Sequence, residues 1–281
     1  MIDLHTHSNF SDGSETPSRV VELAAGAGCS AVALTDHDTT DGLAEARRRA
    51  QQLGITLVGG AELSCAHPSG GGMHVLVYFL DDGPSPLHEE LARLQDDRAV
   101  RNQELVDRLQ QLGLPVTWEA VVEQAGRPEG VGRPHFASVL IAAGVVGSQQ
   151  EAFDRYLGNR APTYVPKARL TGPEAARLAR ESGAVSVLAH PHTLGLEGHD
   201  LANAIAELAG AGFAGLEVTY GRYSPRQRQS MGHLAERFGL VPTGGSDFHG
   251  RTTPDLTVGT GTGDLKVADR VLDQLHDRRP A

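Results

Sequence analysis

The stretch Ile2-Asp3-Leu4-His5-Thr6-His7 joins a short apolar run to two histidines that lie two residues apart. Side chains at i and i+2 of a strand point to the same face, so both imidazoles can reach one ion. Similar junctions follow: Ala31-Val32-Ala33-Leu34 leads into Thr35-Asp36-His37-Asp38, and Val185-Ser186-Val187-Leu188 leads into Ala189-His190-Pro191-His192. A metal-ligating residue type after a short apolar run is therefore a recurring feature of the chain.

Short apolar runs alternate with helical segments along most of the sequence. Near-continuous apolar runs are typical of strands that are buried on both faces, as in a parallel sheet. Thr16 before Pro17 predicts the start of one intervening helix, and Asp41 is predicted to cap the next. The alternation predicts an α/β fold, either a seven-stranded (β/α) barrel or a closely related layered arrangement. The runs are residues 2–4, 31–34, 55–58, 74–79, 185–188, 215–218 and 240–242.

Residues 85–165 interrupt this alternation, because their apolar residues follow mainly helical spacing. We expect a small inserted helical domain here, within a barrel made of residues 1–84 and 166–281. The predicted helices of the insertion lie near residues 87–112, 117–125, 134–143 and 149–157.

Composition excludes several classes of protein. A formal net charge of -10 over 281 residues argues against a broad basic surface for duplex DNA. No run approaches the ~18 apolar residues that span a membrane. Cys29 and Cys65 show no metal or disulfide spacing, which indicates a reducing compartment, and the first residues do not resemble a secretory signal. We expect a cytoplasmic protein.

The strand-associated donors define the predicted site. In (β/α) barrels the active site forms at the carboxyl ends of the strands. Imidazole and carboxylate groups bind Zn, Mn and Fe, and so many polar groups at one mouth would be costly to bury without an ion. A lone histidine is more often a surface or core residue, so the prediction depends on the whole set. The predicted ligands are His5, His7, Asp12, His37, Glu62, His74, His190, Asp247 and His249.

The order and spacing of these motifs resemble the PHP (polymerase and histidinol phosphatase) domain family over nearly the whole chain. The insertion is similar to that of standalone bacterial members that act on nucleotides and short RNA. The matching motifs in the barrel are His5-Thr6-His7-Ser8, Ser11-Asp12-Gly13, Thr35-Asp36-His37-Asp38, Gly60-Ala61-Glu62, His190-Pro191 and Gly245-Ser246-Asp247-Phe248-His249. Those in the insertion are Gly132-Arg133-Pro134-His135, Phe153-Asp154-Arg155-Tyr156-Leu157 and Ala161-Pro162-Thr163-Tyr164-Val165-Pro166.

This resemblance implies a distorted seven-stranded barrel with two or three divalent ions, Mn²⁺ before Zn²⁺ or Fe²⁺, and metal-activated water as the nucleophile. Many PHP proteins have a histidine near the position of Asp12, so the carboxylate here departs from the family pattern at the third site. His192 lies outside the motif, and three roles stay open: support of a ligand, proton donation, or a polar residue at the rim. By position, one site comprises His5, His7, Glu62 and Asp247, a second Glu62, His74 and His190, and a third Asp12, His37 and His249.

Basic residues in and after the insertion are predicted to bind substrate phosphate. Arg98 and Arg101 continue the apolar stripe of the first inserted helix, where they either form internal salt bridges or face the cleft between insertion and barrel. Arg133 and His135 belong to the family motif, and Lys167 follows the insertion.

The leading hypothesis is a metal-dependent phosphoesterase for small nucleotides, such as a nucleoside 3',5'-bisphosphate, or for short oligoribonucleotides. A histidinol-phosphate phosphatase is a second hypothesis, which the insertion disfavours. An amidohydrolase for C–N bonds is a third, although no lysine follows a strand where that class commonly bridges its metals. A non-catalytic PHP module that stabilises a polymerase would have lost ligands, and none is evidently lost.

Overall fold

The computed structural model describes residues 1–81, 83–128, 130–165 and 168–280. Lys167, predicted to bind substrate, lies outside the described residues. The strands are β1 (Ile2–Asp3), β2 (Ala31–Leu34), β3 (Thr56–Ala66), β4 (Gly72–Tyr78), β5 (Leu170–Thr171), β6 (Val185–Leu188), β7 (Gly215–Tyr220) and β8 (Val241–Gly245). The α-helices are α1 (Pro17–Gly26), α2 (Leu43–Leu53), α3 (Pro86–Gln111), α4 (Trp118–Ala125), α5 (Arg133–Ala142), α6 (Gln149–Ala152), α7 (Gly172–Glu181), α8 (Gly198–Gly210), α9 (Pro225–Arg237) and α10 (Arg270–His276).

Seven of these strands form a distorted, nearly closed barrel, as predicted. Their order is β1-β2-β3-β4-β6-β7-β8, and β5 pairs with β3 outside this path. The two ends of the path meet, since the Leu4 amide donates to the Gly244 carbonyl at 3.2 Å and Thr6 bridges Phe248. The barrel interior is filled by apolar side chains such as Leu4, Leu76 and Val187.

The expectation of a parallel sheet is wrong at β4, which runs antiparallel to both β3 and β6. The physical reason is the short turn at residues 67–71, because a tight connection can join only antiparallel neighbours. The reversal has a consequence for the site. It brings His74, near the beginning of β4, to the mouth where the parallel strands end.

Of the two predicted N-cap residues, Thr16 is confirmed and Asp41 is wrong. The Thr16 side chain accepts a hydrogen bond from the Arg19 amide at the start of α1. Asp41 does not cap α2, whose N-cap is Gly42 without a side-chain hydrogen bond. A Cβ atom at Gly42 would lie 3.1 Å from Leu34 and Pro17, so the chain enters α2 through a crowded turn.

The long helix α3 contributes to two separate cores. Leu87, Leu91 and Leu94 pack with the residues that cover the barrel strands. Leu105 and Leu109, further along α3, pack into a second core that α4 and α5 complete. The helix therefore crosses from the barrel to the insertion between residues 94 and 105. The last predicted helix of the insertion continues α6 as a π-helical turn over Phe153–Leu157.

Two further findings concern membrane-spanning helices and the cysteines. No helix among the described residues is both long and apolar enough to cross a bilayer. Cys29 and Cys65 are free and buried. Burial raises the pKa of the Cys29 thiol to about 11, with a further contribution from the nearby Asp3 carboxylate, so this thiol stays protonated at neutral pH.

Candidate active site

The structure brings all nine predicted ligands together at the carboxyl-end mouth of the barrel. His5 and His7 follow β1, His37 follows β2, and Glu62 lies within β3. Potential ligand atoms in each of three overlapping groups lie within 4.8 Å of one another. The groups are His5, His7, Glu62 and Asp247; His7, Asp12, His37 and His249; and His37, Glu62 and His74.

Glu62 lies at the centre of this cluster, and its two carboxylate oxygens face different histidines. Burial disfavours its ionisation, but the surrounding imidazoles, His37 and His5 foremost, hold its pKa well below the usual range. A carboxylate shared in this way has the geometry of a bridging ligand. Its Oε2 lies 3.3 Å from His5 Nε2, 3.2 Å from His7 Nε2 and 3.2 Å from His37 Nδ1; its Oε1 lies 3.0 Å from His74 Nδ1 and 2.9 Å from His190 Nε2.

Several buried atoms of the cluster have no hydrogen-bond partner among the described residues. They include His5 Nε2, both ring nitrogens of His7, His37 Nδ1 and Glu62 Oε2. Buried polar atoms are rarely left unpaired, since each costs about 1–3 kcal/mol. Imidazole nitrogens and carboxylate oxygens that converge without partners fit divalent transition metals. The residues present therefore fit the metal cluster that the sequence predicts.

Asp12 reaches the cluster from the loop that follows β1. Its Oδ1 lies 3.2 Å from His249 Nε2, and its Oδ2 lies 3.7 Å from His37 Nε2. Burial opposes ionisation of Asp12, yet His249 and then His37 hold its pKa well below the usual range. The same loop is held by Asp36, a buried carboxylate that accepts hydrogen bonds from Ser8 and Ser11.

Two polar side chains of β7 were missed by the sequence analysis. Glu217 is buried, with Oε1 2.9 Å from His5 Nδ1, while its Oε2 accepts a hydrogen bond from the His190 amide at 2.7 Å. The Tyr220 hydroxyl donates to Asp247 Oδ2 at 2.8 Å. The available signal was a carboxylate in the middle of an apolar run, since buried carboxylates require partners.

His192 lies beside the cluster without joining it. Its Nδ1 is 3.1 Å from the Tyr223 hydroxyl, and its ring packs near His190 and Tyr220. Burial and then the neighbouring His190 lower the pKa of His192. This position supports none of its three predicted roles over the others.

A cleft of about 350 Å³ separates the metal-ligand cluster from the insertion. Asp12, His37 and His74 line one side. The facing side, which we call the arginine wall, consists of Arg98, Arg101, Arg133 and Arg169. Arg169, in the segment before β5, was also missed by the sequence analysis.

The members of the arginine wall differ in their partners. Arg98 is paired with the buried Asp38 carboxylate. Arg133 Nη1 donates to the Leu157 carbonyl at 2.9 Å and to Asn159 Oδ1 at 3.0 Å. Arg101 donates to Asn102 Oδ1, and its buried Nε has no hydrogen-bond partner in the part of the chain that the structure describes. Within the described ranges, no carboxylate forms a salt bridge with Arg101 or Arg133.

The arginines also repel one another. Burial, followed by the charges of Arg98 and Arg133, lowers the pKa of Arg101 to about 10. Burial and then Arg169 lower the pKa of Arg133. An anion in the cleft would relieve this repulsion.

His135, which was predicted to bind substrate, lies outside the lining of the cleft. Its Nδ1 accepts a hydrogen bond from the Gly132 amide.

A distorted barrel that carries this donor set at its carboxyl-end mouth defines the class of metal-dependent hydrolases. The chain belongs to the PHP domain family. The family model matches residues 3–116. Two relatives each cover 88% of this chain at 32% identity: a 3',5'-nucleoside bisphosphate phosphatase of Chromobacterium violaceum over 87% of its own length, and a 5'-3' exoribonuclease of Haemophilus influenzae over 89%.

The fold is also found among solved structures. A crystal structure from Bifidobacterium adolescentis, of a protein assigned as a metal-dependent phosphoesterase, superposes with a TM-score of 0.85. The match covers 100% of this chain and 96% of the other at 31% identity. The similarity thus extends over the insertion as well as the barrel.

Proposed function

We propose that this chain is a metal-dependent phosphoesterase that hydrolyses phosphate esters of small nucleotides, such as nucleoside 3',5'-bisphosphates, or of short oligoribonucleotides. One observation carries the proposal: a cluster of metal-ligand residues and a wall of arginines face each other across a single cleft of about 350 Å³. A small ester with two phosphates satisfies both sides, with one phosphate at the metals and the other at the arginines.

Two or three divalent ions complete the proposed site, with Mn²⁺ as the first choice and Zn²⁺ or Fe²⁺ as alternatives. His5, His7 and Asp247 would hold one ion with Glu62, and His74 and His190, which face the second oxygen of Glu62, would hold another. Asp12, His37 and His249 would hold the third. Divalent ions in such a site neutralise phosphate charge and lower the pKa of water.

The arginine wall supports the choice of a doubly phosphorylated substrate. Arg133 is fixed through Nη1, so its guanidinium is held in place before a ligand arrives. A fixed guanidinium suits bidentate binding of phosphate. The buried Nε of Arg101 finds no acceptor among the residues that the structure describes, and Arg101 is the second residue that we assign to the phosphate.

The substrates of the alternative enzyme classes would compensate the charge of the arginine wall less completely. Histidinol phosphate carries a single phosphate, and the amide substrates of C–N hydrolases need not carry any. Either would leave the clustered guanidinium charges uncompensated. A polymerase-stabilising module would not need nine converging ligands.

A cytoplasmic location stays a prediction.

The test is a substrate comparison with wild-type protein loaded with Mn²⁺. We expect kcat/KM for a nucleoside 3',5'-bisphosphate to exceed that for a nucleoside monophosphate, histidinol phosphate and an aryl phosphate, with short 5'-phosphorylated RNA as the second substrate. A preference for histidinol phosphate would overturn the substrate assignment. Hydrolysis of an amide panel without phosphate release would overturn the reaction class.

A further inference from the structure

Strand β7 contributes no predicted metal ligand, yet it contacts three of them. Glu217 joins the His5 ring to the His190 main chain, and Tyr220 holds Asp247. Glu217 is fully buried, and Tyr220 is only 6% exposed. These contacts are directed at residues of the proposed metal cluster, on which the inference below rests.

A β-bulge places both side chains on the interior face. In a regular strand, residues 217 and 220 would point to opposite faces. The pairing of β7 with β8 shifts register between Glu217 and Thr219, so Glu217 lies opposite Thr243 and Tyr220 opposite Gly245. The partners are two residues apart, so the extra residue returns Tyr220 to the same face as Glu217.

We propose that Glu217 and Tyr220 are positioning residues that orient His5, His190 and Asp247 for metal binding. Glu217 Oε1 accepts a hydrogen bond from His5 Nδ1–H, which directs the lone pair of Nε2 toward Glu62 and Asp247, each 3.3 Å away. Tyr220 occupies Oδ2 of Asp247, so Oδ1 faces the ring nitrogens of His5 and His7.

Glu217 and Tyr220 also contact two residues that have unfavourable backbone conformations. His190 and Asp247 have φ angles of 21° and 56°, a region that residues other than glycine rarely adopt. Such conformations cost about 1–3 kcal/mol and persist when surrounding contacts fix them. Glu217 binds the His190 amide and Tyr220 binds the Asp247 side chain, so β7 holds both strained residues at the site.

The isosteric change Glu217→Gln tests the proposal through the tautomer of His5. The His190 amide is always a donor, so the carbonyl oxygen of the substituted side chain must face it. The NH₂ group of that side chain then faces His5 Nδ1, which has to accept, and the His5 proton moves to Nε2. A protonated Nε2 cannot bind a metal. The variant therefore disables one ligand with almost no change in side-chain volume.

The experiment titrates Mn²⁺ into chelator-stripped protein by calorimetry. We expect Glu217→Gln to weaken one Mn²⁺ site by roughly 10- to 100-fold and Tyr220→Phe to weaken it by about 10-fold. The rise in thermal midpoint on adding Mn²⁺ should shrink in both variants. Histidine ¹⁵N spectra of the Zn²⁺-loaded proteins should show an Nδ1-protonated His5 in the wild type and its loss in Glu217→Gln.

Tyr78→Phe is the matched control. It also removes a buried hydroxyl, one that donates to the Leu4 carbonyl at 2.7 Å, and it should lower stability while leaving Mn²⁺ affinity unchanged. Should Glu217→Gln fail to fold, Tyr220→Phe carries the test. Unchanged affinity in the folded variants would overturn the inference alone, whereas absence of Mn²⁺ binding by the wild type would overturn the proposed function with it.

Discussion

The two sides of the cleft differ in how their side chains are held. The candidate metal ligands lie on strands or in the loops that follow them, and four of the nine are buried: His5, His7, Glu62 and His190. The arginine wall comes from one helix, the start of another and an irregular segment, represented by Arg98, Arg133 and Arg169. In the proposed function, the barrel holds the reacting groups, and the arginine wall selects among phosphate esters. Variants on each side should therefore fail in different ways.

The largest effect is expected on the barrel side. Glu62→Ala removes the carboxylate that faces five imidazoles, so we expect loss of both metal and activity, with kcat/KM down by roughly 10³-fold or more. Elemental analysis and kinetics on an aryl phosphate measure the two losses. Glu207→Ala, on the outer surface of α8, is the control. Full metal occupancy in Glu62→Ala would contradict its assignment as the bridging ligand.

The next effect separates the two sides. Arg133→Ala should retain metal and fold, and should hydrolyse a generic aryl phosphate at a similar rate. Its kcat/KM for a nucleoside 3',5'-bisphosphate should fall by roughly 10²-fold, about 3 kcal/mol of lost charge-assisted contact. Arg155→Ala, an exposed arginine of the same insertion that pairs with Glu151, serves as the control.

The outcome of the Arg133 experiment also places the residue. An equal loss on both substrates would put Arg133 at the reacting phosphate and not at the second one. No loss on either substrate would make its contacts with Leu157 and Asn159 structural, and the substrate assignment of the arginine wall would then fail.

The same contrast explains what the sequence could predict. Strand periodicity places His5 and His7 on one face whatever surrounds them, so the two-residue spacing is enough to predict this part of the proposed metal site. The position of Arg98 depends on how α3 packs across the cleft, which spacing does not determine. Tyr220 reaches the site because a bulge changes the face to which it points. His74 reaches the site because the turn before β4 reverses the direction of the strand. Local pattern was sufficient where the backbone is regular, and insufficient where a bulge, turn or packing contact decides the direction.

A smaller effect is expected at Asp12, the proposed ligand that lies on a loop. Its side chain is 29% exposed, so solvent screens part of its attraction to His249. Asp12→Ala should lower turnover by about 10-fold while the thermal midpoint of the metal-free protein changes little. Asp12→His, which keeps a metal-ligating side chain at this position, should recover part of the rate. A sharp fall in midpoint with unchanged metal and turnover per folded molecule would make Asp12 structural.

The smallest catalytic effect is expected at Arg98, although it belongs to the arginine wall. Its charge is already compensated by Asp38, a buried carboxylate that also accepts hydrogen bonds from Ser64. Arg98→Ala should lower the free energy of unfolding by about 1–3 kcal/mol, because a buried carboxylate loses a charged hydrogen-bond partner. The kcat/KM per folded molecule should change by only a few-fold, on nucleotide and aryl phosphate alike. Urea unfolding and steady-state kinetics measure both, and Arg93→Ala on the exposed face of α3 is the control. A selective loss of roughly 10²-fold on the bisphosphate, equal to that expected for Arg133→Ala, would instead show that Arg98 leaves Asp38 to bind substrate.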